Sequence, residues 1–267
     1  MSIKNIGRIF AFDLKNKFKY ICLWCVAAAA VMFLYMILFP SVSAMVGLKL
    51  NIVPKAMLKL FGMDENMMFN NFVQYFGMVY RIVIIALSMF ASSFTAGLLY
   101  REESTKTIEF LNALPVSRSE IYFAKGLLGL FANLLLIFVA ILFSALAGFI
   151  NGGKTFVFES FIDMAVKMSF IPIFYWALAW GFAGITAKLN ASSIVNTIMG
   201  IAYILGYIGV LLENKNFSYI SPFELLSPQN VTNLNSSIII GFLIYAAVGI
   251  SCIFAGLAVY NKRDFEI

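Results

Sequence analysis

Apolar and polar positions alternate along this chain on a long scale. Six runs, 20–39, 78–99, 124–150, 164–187, 192–212 and 237–260, are almost free of charge, and each has the length of about 20 residues that a helix needs to cross a bilayer. Backbone inside lipid must satisfy its own hydrogen bonds, so the pattern predicts an all-α polytopic membrane protein with six spans in one transmembrane domain. The segments between the spans differ in kind. Residues 1–19 place Ile3, Ile6, Phe10, Leu14 and Phe18 on one side and Lys4, Arg8, Lys15 and Lys19 largely on another. This predicts a basic amphipathic helix lying on the membrane surface. In the outer segment 40–77, Pro54 stands at a helix start, Lys55 and Lys59 are one turn apart and Gly62 is at the stop, the pattern of an interfacial helix. The outer segment 213–236 is rich in Asn, Ser and Pro, with N-x-S/T spellings at Asn216, Asn230 and Asn235 that matter only in a eukaryotic secretory route.

The stretch 101–125 stands apart. It holds Arg101, Lys106, Arg118 and Lys125 with Glu102, Glu103, Glu109 and Glu120, while the flanking spans hold almost no charge. Such a segment lies in water. Ile108, Phe110, Leu111 and Leu114 recur close to helical spacing, which predicts a short helix with one apolar face. Pro115 ends it. Ser117 and Glu120 then have the spelling of a capping box, in which each side chain satisfies the other residue's free backbone donor, so a new helix starts at Ser117. The loop 101–123 is therefore a water-side amphipathic helix, a stop and the start of the third span.

Composition narrows the chemistry. Across 267 residues the hydrophobic share is 62% and the mean hydropathy +0.91, well above a soluble domain. There is no histidine and there are only 13 acidic residues, which removes most transition-metal ligands and the commonest general base. No cofactor or metal is expected on the chain itself. Cys22 and Cys25 spell C-x-x-C and, like Cys252, lie in apolar runs, where they read as packing residues rather than reactive thiolates. The net charge of +6 does not point to nucleic acid, because twelve of the nineteen Lys and Arg sit in alternate loops on one side. By the positive-inside rule that side, with both termini, is cytoplasmic. The apolar run ends at Phe39 and Pro40 without a small-x-small site, so no cleavable signal is expected.

The six cores hold no Asp, Glu, Lys or Arg, and Arg81 and Lys167 lie near ends, where they are expected to snorkel to the surface. Proton-driven transporters and voltage sensors keep ionisable groups inside the membrane, and this pattern excludes them. A membrane enzyme acting on lipid would need clustered acids or histidine, which are missing. Ala202-x-x-x-Gly206 and Ser144-x-x-x-Gly148 permit close helix contact, and Pro172 is expected to kink the fourth span. Residues 148–155, GFINGGKT, match the P-loop letters, yet they follow a membrane helix rather than a strand, so they read as a Gly-rich turn at a helix end.

Thr107-Ile108-Glu109-Phe110-Leu111-Asn112-Ala113-Leu114-Pro115-Val116-Ser117-Arg118, followed by Glu120, Ile121 and Lys125, resembles the T-L-E-x-L-x-x-L-P-V-S-R-x-E-I-x-x-x-K loop of ABC-2 type ABC transporter permeases. The segment 54–62 and the closing Tyr260-Asn261-Lys262-Arg263-Asp264 are similar to the same family. Lys106 stands where the family usually has Gly. The resemblance implies a permease with no catalytic residues, paired with a second permease copy or paralogue and driven by two cytoplasmic ABC ATPase subunits that carry the ATP and Mg. The loop then corresponds to the coupling helix, with Glu103, Thr107, Glu109, Phe110, Leu111, Leu114, Pro115 and Arg118 meeting the ATPase. Lys188, Leu189 and Asn190 would form a second contact, and 1–19 an elbow helix. Phe110, Leu111 and Leu114 suit an apolar groove, while Glu103, Glu109 and Arg118 suit charges on its rim. The implied function is export from a bacterial cell of hydrophobic or amphipathic cargo, with the exporters of amphipathic peptide toxins and bacteriocins as one branch. Lipid, drug or ion cargo is an alternative, and a non-transporting scaffold or immunity protein is an alternative class.

Overall fold

The structure is a computed structural model and describes residues 2–49, 71–104, 116–186, 190–212 and 219–262. Among these every regular element is helical: α1 (Ile3–Ile37), α2 (Phe39–Lys49), α3 (Phe72–Ser104), α4 (Arg118–Asn151), α5 (Phe158–Met168), α6 (Phe170–Ile185), α7 (Ala191–Leu211), α8 (Pro222–Leu225), α9 (Pro228–Thr232) and α10 (Ser236–Lys262). Among the described residues six helical stretches are long and apolar enough to cross a membrane, and each overlaps one of the six predicted runs. The segment 54–62 lies outside the described residues.

α6 occupies the centre. It packs on α3, α4, α7 and α10, and most of its side chains are buried. The sequence FIPIFYWALAWGFAGI is apolar on every side, and such a helix is stable only where every side is covered. α1 and α10 are peripheral, with Leu23, Val26, Leu243 and Phe254 among their exposed apolar side chains. The close contact of α6 with α10 uses glycines. A Cβ on Gly181 would lie 2.4 Å from the Cys252 carbonyl oxygen, and one on Gly184 2.6 Å from that of Gly256. The backbones touch where side chains are missing. The small residues singled out by spacing have other neighbours: Gly206 faces Ser221 and Glu224, and Gly148 faces Phe156 of its own chain segment.

Two expectations are corrected and two others are met. The basic segment 1–19 is not a separate surface helix. α1 runs unbroken for 35 residues, about 50 Å, because no Gly or Pro interrupts it between Gly7 and Pro40. Its basic turns continue the first span along one axis, lying against α4. Arg81 does not snorkel: it is buried, and its Nη2 donates to Oε1 of buried Glu224. Lys167 does reach the surface, where its ammonium meets the exposed Asp163 one turn back and donates to the Val231 carbonyl at 3.2 Å. The expected kink of the fourth span is present: α5 and α6 are parted only at Ser169, whose backbone stays helical, and together they make one crossing stretch. Pro172 lacks an N–H and its ring collides with the carbonyl four residues earlier, that of Met168, where α5 ends.

The P-loop spelling folds as a turn. α4 ends at Asn151, the Gly152 N–H bonds the Gly148 carbonyl at 2.8 Å, and Gly153 sits at φ 53°, a left-handed conformation that favours glycine. Thr155 Oγ1 donates to the Gly152 carbonyl and accepts the Phe72 N–H at 3.2 Å. The turn thus caps the start of α3. It has a structural use and no strand before it.

Candidate functional site: the face that carries both termini

The start of α4 gathers three other helices. Ser117 Oγ accepts the Glu120 N–H at 3.3 Å and Glu120 Oε2 accepts the Ser117 N–H at 2.9 Å, completing the capping box read from the sequence. The same carboxylate also accepts the Ser2 backbone N–H and, at 3.3 Å, the Asn5 side-chain amide. One carboxylate therefore caps α4 and holds the first turn of α1 against it. On the other side Arg118 donates to the Asn261 carbonyl at 3.4 Å, and Ser119 Oγ donates to Asn261 Oδ1 at 3.0 Å. Residues 2 and 261 thus meet the same helical turn, which puts both termini at one end of the bundle.

A second layer lies one turn deeper. Lys125 Nζ donates to Asp13 Oδ2 at 3.1 Å, with both residues buried. Tyr122 Oη donates to the Ile253 carbonyl at 2.9 Å, and Trp180 Nε1 donates to the Tyr122 carbonyl at 3.2 Å. Trp176 Nε1 donates to the Gly126 carbonyl at 3.0 Å; a Cβ on Gly126 would overlap the Trp180 ring. The first three turns of α4 are thereby locked to α1, α6 and α10. They form one rigid junction, and it stands where the segment 105–115 joins α4.

Of the residues expected to meet an ATPase, Thr107, Glu109, Phe110, Leu111, Leu114 and Pro115 lie outside the described residues, as do Lys188 and Leu189. Glu103 falls in the last turn of α3. Arg118 is in the junction, fastening α10. Asn190 is the N-cap of α7, and its Oδ1 accepts the Ser192 N–H at 3.2 Å. Sequence reasoning did not find the Asp13–Lys125 pair, although Asp13 is the only acid in the first sixty residues, and a lone acid in a basic, apolar helix is a sign of a partner. It did not find the part played by Tyr122, for which the letters carry no signal.

The opposite end carries a plug. Residues 219–232 fold into two one-turn helices begun by Pro222 and Pro228, and they bury Phe223, Leu225, Leu226 and Val231. Asn230 Nδ2 donates to the Glu224 carbonyl at 2.8 Å, and Asn235 Oδ1 accepts the Ile238 N–H at 2.9 Å, so both side chains serve the fold. Burial raises the Glu224 carboxyl above its ordinary pKa, and the Arg81 guanidinium opposes that shift. The pair ties the plug to α3.

This fold defines a class: a polytopic helical membrane protein with a rigid junction on the face of its two termini and a salt-bridged plug on the other. Residues 7–261 match the family described as "Multidrug efflux system permease Rv1217c, C-terminal domain". The chain belongs to that family and is the membrane subunit of a transporter rather than an enzyme. No curated protein and no solved structure matches it.

Proposed function

We propose that the chain is the membrane subunit of an ATP-driven exporter, and that separate cytoplasmic ABC ATPase subunits dock on segment 105–115 and power it. The family match over 7–261 carries this reading, and the built junction at Ser117–Lys125 supports it. The docked segment leads directly into a helix start that is fastened to α1 and α10 by Glu120, Arg118 and Ser119 and to α6 through Tyr122. A push on Pro115 then moves four helices as one body instead of fraying a helix end. In this reading the face of the termini is cytoplasmic, and a second permease copy or paralogue completes the pathway.

The cargo is hydrophobic or amphipathic. The family's description favours drug-like amphipathic molecules over the peptide toxins and bacteriocins of the resemblance. The test is reconstitution of the chain with the ATP-binding subunit into liposomes, with a fluorescent amphipathic cation as cargo. ATP-dependent movement of the dye is expected. Failure of any ABC ATPase subunit to assemble with the chain, or dye movement equal with and without ATP, would overturn the reading.

A further inference from the structure

Five of the basic residues, Lys4, Arg8, Lys15, Lys17 and Lys19, project from α1, whose single carboxylate, Asp13, is engaged by Lys125. A cleft of about 280 Å3 lies between α1 and α3, and α1 lines it with Asn16, Lys17, Lys19 and Tyr20. At 100° per residue, Asn16 and Tyr20 share the middle of that face, and Lys17 and Lys19 stand about 80° to either side. The two ammonium groups thus flank the cleft like arms. Neither is in an ion pair among the described residues.

The far wall is α3, through Ser93, Phe94 and Gly97. A Cβ on Gly97 would meet nothing within 4 Å, so the absent side chain leaves the space open. The Tyr20 ring stacks on Phe94 at 6.0 Å and 9° and on Phe90 at 6.1 Å and 21°, which holds the floor rigid. The level is that of the membrane boundary. Tyr20 begins the first apolar run, and the span containing Gly97 ends at Tyr100. Just beyond, on the same side of α1 as Asn16, Leu23 is 67% exposed and extends the cleft as an apolar track into the hydrocarbon.

We propose that this cleft binds the phosphate of an anionic phospholipid, with Lys17 and Lys19 pairing its charge, Asn16, Tyr20 and Ser93 supplying neutral hydrogen bonds, and the acyl chain descending past Leu23. Basic pockets between helices at a membrane surface recognise lipid headgroups in this way, and an aromatic ring at the boundary anchors the level. The volume is below the roughly 300–1,000 Å3 of drug-sized sites, so the cleft holds a headgroup and is not the cargo site. The proposal stands on the cleft and its charges and does not depend on which ATPase drives the protein.

The test takes the full chain in detergent, stripped of lipid, titrates it with dioleoylphosphatidylglycerol or dioleoylphosphatidylcholine, and counts retained lipid by native mass spectrometry. One phosphatidylglycerol held at least about tenfold more tightly than phosphatidylcholine is expected. Lys17→Gln and Lys19→Gln should each lower that preference about fivefold, the worth of one cation at a charged surface. Gly97→Leu, which fills the cleft without changing charge, should lower retention of phosphatidylglycerol to a similar degree, with helicity by circular dichroism unchanged in all three. Equal retention of the two lipids by the wild type would overturn the proposal, and so would a preference that survives both the double lysine replacement and Gly97→Leu. Displacement of the lipid by millimolar inorganic phosphate would overturn the lipid assignment in favour of a free-anion site.

Discussion

Removing one member of the Arg81–Glu224 pair tests the plug. Both groups are buried, with side chains 9% and 8% exposed, and Glu224 is further engaged through its carbonyl by Asn230. Breaking a buried pair by taking one partner away costs about 3–5 kcal/mol, because the remaining charge is left in low dielectric without compensation. The two single replacements differ in what they leave behind. In Glu224→Gln the Arg81 guanidinium stays charged at any workable pH, so the full loss is expected where the wild-type carboxylate is ionised and fades at low pH, where the raised wild-type carboxyl is itself protonated. In Arg81→Met the orphan is a carboxyl, which escapes by taking a proton. Burial already raises its folded-state pKa, and removing Arg81 removes what opposed that rise. A carboxyl raised in the folded state contributes stability below its unfolded pKa and loses it as pH rises through the folded value. Both single variants should therefore lie close to wild type near pH 4.5 and weaken relative to it as pH rises. The assay is thermal unfolding of the purified chain in detergent, followed by tryptophan fluorescence at pH 4.5 and pH 8. At roughly 2–4 °C per kcal/mol for a chain of this size, a shift of about 6–20 °C is expected for each single variant at pH 8, and little shift for either at pH 4.5. The double replacement Arg81→Met with Glu224→Leu should recover most of the loss. Single variants within about 2 °C of wild type at pH 8, or a double variant weaker than either single, would refute the reasoning.

Other consequences are local. Gly184→Leu or Gly256→Leu forces side-chain atoms into the facing backbone and should destabilise the α6–α10 contact by at least about 1–3 kcal/mol, read as a lower melting temperature, while Gly97→Ala, with open space around it, changes little. Glu120→Ala removes the capping box together with the anchors to Ser2 and Asn5; a lower melting temperature is expected, with faster hydrogen exchange at the first turns of both α1 and α4. If α1 exchanges no faster than in the wild type, the tie between the two helices is not the carboxylate's doing.

The sequence was most legible where one physical demand dominates. Span number follows from bilayer thickness, and the α4 start from the Ser117–Glu120 spelling, which the structure closes in both directions. It was less legible where distant segments decide. Arg81 reads as an end-of-span cation until Glu224, far along the chain, is folded against it. Segment 213–236 reads as a polar outer loop because Asn, Ser and Pro dominate it, yet around Phe223, Leu225 and Leu226 the stretch 221–228 is buried. Spacing alone favoured Gly206 and Gly148 as helix contacts, whereas Gly181, Gly184 and Gly256 carry the close crossing, because a four-residue spacing does not say which side of a helix meets which neighbour. The surface helix over 1–19 was expected from its basic face. Nothing in the letters breaks the helix at residue 19, and α1 accordingly continues.

The central claim is that energy enters through segment 105–115 and the α4 junction. Its most direct measurement is ATP-dependent dye export by the reconstituted complex carrying Phe110→Asp with Leu114→Asp, alongside the amount of ATPase subunit that co-purifies. Loss of the co-purifying subunit and of export, with the chain still folded in the membrane, is the predicted result; a double variant that binds its ATPase and exports at the wild-type rate would contradict the account.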